Sequence, residues 1–302
     1  MPVSYRKATR EDNFKTFNVF LKSIMDYSQR AGVEGITGGH SPEKINKLWD
    51  RRRPLWEHLS STCDQYWLAE NENSEVIGYA RSIVRGHHRE LTEFFVAPEN
   101  QSAGVGRELI ARAFPHDAPH RSIIATTDFR ALARYLKAGV YPFATELFFE
   151  RTPEPVTFES DLQFEAANRK DEALQTTAEI DSVILGHRRD VDHLYLMRNR
   201  SLYLYKRKDD VVGYGYISKE YYGPFAVLDN NDFPAVLAHA ETQAHKLGAE
   251  SVGFETPAIN KIAIDYLMSR SYRIEGFLTS ILSDKPFGRL ENYLLTSPPF
   301  FL

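Results

Sequence analysis

The chain has 302 residues, 42% of them hydrophobic and 26% charged, which is long enough for two domains that each bury a core. A net charge of -4 argues against general nucleic-acid binding, which needs a basic surplus on one face, and a lone Cys63 excludes an internal disulfide and fits a reducing, cytoplasmic setting. No run reaches the roughly 18 apolar residues of a membrane helix, and the charged opening is unlike a secretory signal.

A short strand over residues 3–7 is predicted first. Thr9 and, three positions on, Asp12 form a capping box, and Phe14, Phe17, Phe20, Leu21 and Ile24 follow at helical spacing. Gly32, Gly35, Gly38 and Gly39 break that helix; a second, charged and Trp-bearing, runs from Pro42 to about Leu59. Residues 66–69 and 76–83 read as a hairpin, and a third strand, residues 91–96, leads into a glycine-bearing turn. Behind it Val105, Leu109, Ala113 and Phe114 mark one helical face. A strand over 122–126, a helix over 129–138 and strands around 143–149 complete the first half, which the Pro-rich residues 151–155 separate from the second.

The order then begins again. Residues 164–171 echo residues 5–12, and Gly213-Tyr214-Gly215 stands where Gly78-Tyr79-Ala80 stood. The spacing between those two landmarks is shorter in the second half, which we read as an insertion in the first: its Gly-rich loop and an extra helix.

A strand followed at once by small residues and a helix start is a device for holding phosphate, because consecutive amides point at the anion with the helix dipole behind them. Gln101, Ser102, Ala103, Gly104, Val105, Gly106 and the adjoining Arg107 make such a turn, with neither the Rossmann nor the Walker spacing. It resembles the Gln/Arg-x-x-Gly-x-Gly/Ala loop of the GCN5-related N-acetyltransferases (GNAT). Residues 128–140 are similar to that family's Asn-x-x-Ala-x-x-Leu-Tyr-x-x-x-Gly-Phe helix, with Tyr135 on the tyrosine and Asp128, Arg134 and Val140 as departures.

The resemblance implies an α/β (α+β) fold of two tandem GNAT-type domains, 1–152 and 153–302, each a mixed, mostly antiparallel sheet flanked by helices. It implies that the loop holds the diphosphate of acetyl-CoA. Phe94, Phe95 and Val96 then lie on a splayed strand whose backbone pairs with the pantetheine arm, and the Val96 N–H serves the oxyanion. Tyr135 is placed to protonate the leaving thiolate. Glu93 is the candidate base, or else a strand carboxylate that orients substrate; His87-His88 is the other candidate. In the second half Asp229 to Pro234 has no glycine pair and sets two carboxylates where a diphosphate must lie, Leu267 replaces the tyrosine and Ser271 the glycine. That half reads as degenerate, with packing, a homodimer contact or a wall of the substrate cleft as its work.

The expected activity is direct acetyl transfer to a small-molecule amine in a ternary complex, with no metal, no nucleic acid and no membrane partner. The alternatives are a non-catalytic acyl-CoA-binding module and an aminoacyl-tRNA-dependent transferase. His116, Asp117 and His120 carry little weight as a zinc site without a cysteine pair or carboxylate cluster. The apolar ending, Phe300, Phe301 and Leu302, is expected to pack in a groove or to line the cleft.

Overall fold

The computed structural model describes residues 2–33, 42–101, 104–168 and 170–296. The chain divides into two compact units: Met1–Tyr141 with Leu282–Lys285, and Pro142–Ile281 with Pro286–Leu302.

The first unit contains β1 (Ser4–Lys7), α1 (Asn13–Ala31), α2 (Pro42–Thr62), β2 (Cys63–Glu70), β3 (Val76–Arg85), β4 (His88–Val96), α3 (Val105–Ala113), β5 (His120–Thr126) and α4 (Phe129–Lys137). Its strands lie in chain order, antiparallel except for the parallel pair β4–β5. Strand alternation divides the core between the two faces. Leu68 and Tyr79 pack with Val19 of α1, whereas the next residues along, Ala69 and Ala80, share a cluster with Val105, Leu109 and Ala113 of α3. The capping box at Thr9 and Asp12 forms as expected, and Asp12 also takes Arg6. Leu282–Lys285 brings Asp284, whose carboxylate accepts from the Arg121 N–H at 3.1 Å.

The second unit contains β6 (Tyr141–Arg151, all but its first residue), β7 (Leu162–Ala166), α5 (Lys170–Ile184), α6 (Asp190–Asn199), β8 (Ser201–Arg207), β9 (Asp210–Ile217), β10 (Tyr222–Val227), α7 (Phe233–Lys246), β11 (Val252–Pro257), α8 (Lys261–Ser269), most of β12 (Arg273–Ser283) and β13 (Tyr293–Leu294). Five strands form an antiparallel sheet in the order β13-β10-β9-β8-β7, and β6 lies between β12 and β11. The strand β6, which closes the first half of the sequence, therefore belongs to the second compact unit.

One expectation is corrected here. The shorter spacing in the second half reflects no missing helix, since α5 and α6 occupy the places of α1 and α2. They are shorter, 15 and 10 residues against 19 and 21. No helix among the described residues is long and apolar enough to cross a membrane.

Candidate active site in the first unit

The site begins with a one-residue irregularity. Arg81 pairs with Glu93 across β3–β4 but Ser82 pairs with Leu91, so Thr92 is an extra residue on β4. A bulge bends its strand and sharpens its twist. The parallel pairing of β4 with β5 ends at that point, with Leu91 opposite Ile123. From Thr92 to Val96, about 13 Å of strand, β4 is paired with β3 only among the described residues.

Which groups face the opening follows from the ladder. Ala97 N–H donates to Ile77 O at 2.9 Å, and successive residues of an antiparallel strand point their amides to opposite sides. The N–H and C=O of Val96 and Phe94 therefore point away from β3. The Val96 carbonyl is taken by Gln101 Nε2 at 3.0 Å, so Gln101 pins the strand end to the turn that follows.

That turn delivers the chain to α3. Gly104 is the N-cap in the left-handed region, φ 86°, a conformation costly for any residue with a Cβ. Its carbonyl accepts from the amides of Arg107 at 3.0 Å and Glu108 at 3.3 Å, which leaves the amides of Val105 and Gly106 in the unpaired first turn. Val105 is buried and offers only its backbone. Gly106 has a packing reason of its own: a Cβ there would come within 2.9 Å of the Phe94 ring. Arg107 is exposed and lies beside Glu108. Ser102 and Ala103 lie outside the described residues, as do residues 297–302 and with them the apolar ending.

Tyr135 projects from α4 into the cluster of Leu91, Leu109 and Ile123, with its ring edge-on to Phe94 at 6.0 Å between centroids. Burial pushes its hydroxyl well above the ordinary phenol range, and no partner holds it among the described residues. It is a protonated donor with its proton uncommitted. Asp128 is the N-cap of α4 and accepts from Arg130 N–H at 2.9 Å. Burial opposes its charge, but hydrogen bonds from Arg130 and Arg30 outweigh that and hold the carboxyl down at about 2.

Glu93 differs from expectation. Its side chain lies on the other face from Phe94, wholly buried in an ion pair with Arg81, and Tyr79 OH donates to Oε1 at 3.1 Å. Burial pushes the carboxyl up while Arg81 pulls it down. The Arg81 guanidinium in turn lies 4.8 Å from the Tyr66 ring centre and donates to Trp56 O at 3.3 Å. Glu93 is a sealed carboxylate, not a free one. The His87-His88 pair lies at the opposite end of β4 from Val96. His88 begins β4, roughly 26 Å of strand from Val96, and its Nε2 is 2.6 Å from Ser122 Oγ. Asp117 is taken by Arg89, and no cluster of metal-ligating side chains occurs among the described residues.

Sequence reasoning missed Arg81, Tyr79 and the Thr92 bulge. The legible signal was a charged residue inside the apolar run of β3, facing a carboxylate on the next strand.

Residues 62–141 match the profile of the acetyltransferase (GNAT) domain. No curated protein matches the sequence. Among solved structures, the fold is similar to that of a protein from Pyrococcus horikoshii provisionally assigned as an acetyltransferase, with 16% identity, a TM-score of 0.73 and coverage of 96% of this chain and 92% of that one. A GCN5-related N-acetyltransferase from Sphaerobacter thermophilus aligns with 13% identity and a TM-score of 0.62, covering 94% of this chain and 96% of that one. A tandem GNAT protein of the clavulanic acid biosynthesis pathway gives 10% identity and a TM-score of 0.59, covering 94% and 99%. Residues 62–141 thus carry a GNAT acetyltransferase domain, and the chain shares the fold of these two-domain proteins over nearly its whole length.

Proposed function

We propose that the protein is an acetyl-CoA-dependent N-acetyltransferase that acts on a small-molecule amine by direct transfer in a ternary complex. The domains are taken as 1–152 and 153–302, with the acyl donor in the first. The supporting observation is that, among the described residues, the outer edge of β4 has no strand partner from Thr92 to Val96 and the Val105 and Gly106 amides in the first turn of α3, which follows it in the chain, have no backbone partner. Backbone of that kind suits a ligand with amides along its length and a diphosphate at its end.

The roles follow from position. Phe94 and Val96 offer backbone groups to the extended arm, and the amides of Val105 and Gly106 face the diphosphate. The Val96 N–H donates to the oxygen on which charge develops. Tyr135 supplies the proton to the departing sulfur, and burial keeps its hydroxyl protonated throughout the neutral range. Glu93 we assign to fastening β3 to β4 through Arg81, because a base held in a closed ion pair must first be released. The amine then loses its proton to water.

That sealed carboxylate also supports a second reading, an acyl-CoA-binding module without catalysis. The net charge disfavours an aminoacyl-tRNA substrate. Incubating the protein with acetyl-CoA and an amine library, with mass spectrometry for acetylated product and a thiol assay, separates the readings. Amine-dependent thiol release that is lost in Tyr135→Phe supports the enzyme. Binding of one acetyl-CoA per chain, with no release for any amine, gives the second reading.

A further inference from the structure

The second unit repeats the opening and fills it. β10 carries a register shift between Tyr222 and Phe225, as β4 does at Thr92, and β10 and β11 occupy the places of β4 and β5 in the order of elements. Between them lies β13. Phe225 pairs with Leu294 and Ala226 with Tyr293, while the Leu295 N–H donates to Glu255 O of β11 at 3.0 Å. Alternate amides of a strand point to opposite sides, so Leu295 faces β11 and Leu294 faces β10. The segment is hydrogen-bonded along both edges.

Its seat is built for it. Asn292 Nδ2 donates to Val227 O at 2.8 Å and Leu228 O at 3.1 Å. The buried Arg200 donates to Thr296 Oγ1 at 2.7 Å and also to Gly223 O. A Cβ on Gly223 would collide with the Leu295 carbonyl. Tyr293, Leu294, Leu295 and Thr296 are at most 2% exposed. At the helix end of the opening, Asp229 accepts from its own loop at Asn231 N–H and Asp232 pairs with Arg207, so that α7 begins with its own carboxylates where α3 begins with amides that have no partner among the described residues.

We propose that the opening between β10 and β11 is a receptor for one extended peptide strand. Its resident ligand is residues 292–296 of this chain, and this strand excludes acyl-CoA from the second unit even where the phosphate loop is disregarded. The comparison rests on reading the free edge of β4 as the seat of the acyl-CoA arm. A peptide satisfies both strand edges at once, whereas a ligand carrying a diphosphate meets two carboxylates at α7.

The test uses the full-length chain with Leu295→Pro, which removes the donor to Glu255 O and is poorly tolerated in a strand paired on both sides. Hydrogen exchange followed by mass spectrometry should show β10, β11 and β13 exchanging at least about tenfold faster, with β4 and β5 unchanged. Excess synthetic octapeptide spanning residues 289–296 should restore that protection in the variant and do nothing to the wild type. Unchanged exchange in Leu295→Pro, or a second equivalent of acetyl-CoA taken up with no rescue by the peptide, overturns the proposal. Where Leu295→Pro does not fold, Thr296→Val removes the Arg200 contact at nearly constant volume and should speed exchange in the same three strands by a smaller factor. No change there overturns it equally. Titrating the wild type with acetyl-CoA probes the first unit independently: no binding sinks the reading of β4 and leaves the exchange result to be judged alone.

Discussion

The two units start from one plan and satisfy it differently. Each places a bulged strand before a helix, and each thereby leaves backbone groups that need partners. In the first unit no strand among the described residues pairs with the outer edge at the end of β4, where Gln101 takes the Val96 carbonyl, while in the second that edge is consumed by β13. The buried polar partners have been rewired as well. Tyr79 donates to Glu93 on the neighbouring strand, whereas Tyr214, at the repeated position, donates to Asp181 on α5. Asp181 also binds Arg189 Nε at 2.6 Å and His193 Nε2 at 2.7 Å, and although burial opposes its charge, Arg189 and His193 hold its carboxyl well below the usual range. The difference teaches that a splayed sheet is a demand for hydrogen bonds before it is a binding site. Either a ligand or the chain itself can meet that demand.

The sharpest way to break the comparison is at Gly104. Gly104→Glu places a side chain in a left-handed turn and a negative charge at the anion end of α3, and acetyl-CoA binding by calorimetry should fall by about a thousandfold or more. Wild-type stoichiometry should be one per chain; two equivalent sites would erase the contrast between the units. Next in size is Arg81→Ala, which leaves Glu93 buried without its cation. Removal of one partner of a buried pair costs about 3–5 kcal/mol, to be read from denaturant unfolding, and Arg81→Met with Glu93→Gln together should recover much of it. Tyr135→Phe should lower kcat by about a hundredfold while the acetyl-CoA Kd moves less than about threefold, because its proton matters only as the thiolate departs. An unchanged kcat under rate-limiting chemistry removes Tyr135 from the mechanism.

The smallest effect is a pH dependence confined to the second unit. His239 stacks on Phe164 at 4.3 Å, and burial, aided by Lys246, holds its imidazole down at about 4. The unfolded chain binds that proton near pH 6.5, so stability should fall as pH drops from about 6.5 towards 4. His239→Gln should flatten this slope in thermal melts, and an identical slope in the variant would assign it elsewhere.

Much of this was legible in the sequence where chemistry and spacing coincide. The helix behind Gly104 and the Tyr135 helix were readable because apolar periodicity and small residues sit in fixed order, and the repeat was readable from Tyr79 and Tyr214. What escaped was set by register. A single extra residue at Thr92 has no compositional mark, yet it decides where β4 parts from β5 and brings Glu93 opposite Arg81. A two-residue strand such as β13 lies below any periodicity, so nothing in the sequence marks Leu294 and Leu295 as partners for Phe225 and Glu255. Likewise the Pro-rich stretch after Arg151 looked like a tether, but Val156 N–H is held by Thr242 Oγ1 at 2.9 Å.

The strand β6 bears on how such a protein can be taken apart. Cutting the gene after residue 152 yields a first fragment ending in a strand bereft of β11, its long edge bare and prone to pair with other molecules. The same cut deprives Arg121 of Asp284, which arrives from far downstream. Each compact unit therefore takes chain from beyond that cut, Leu282–Lys285 in the first and the rest of β6 in the second, so neither half of the sequence can be deleted without stripping the other.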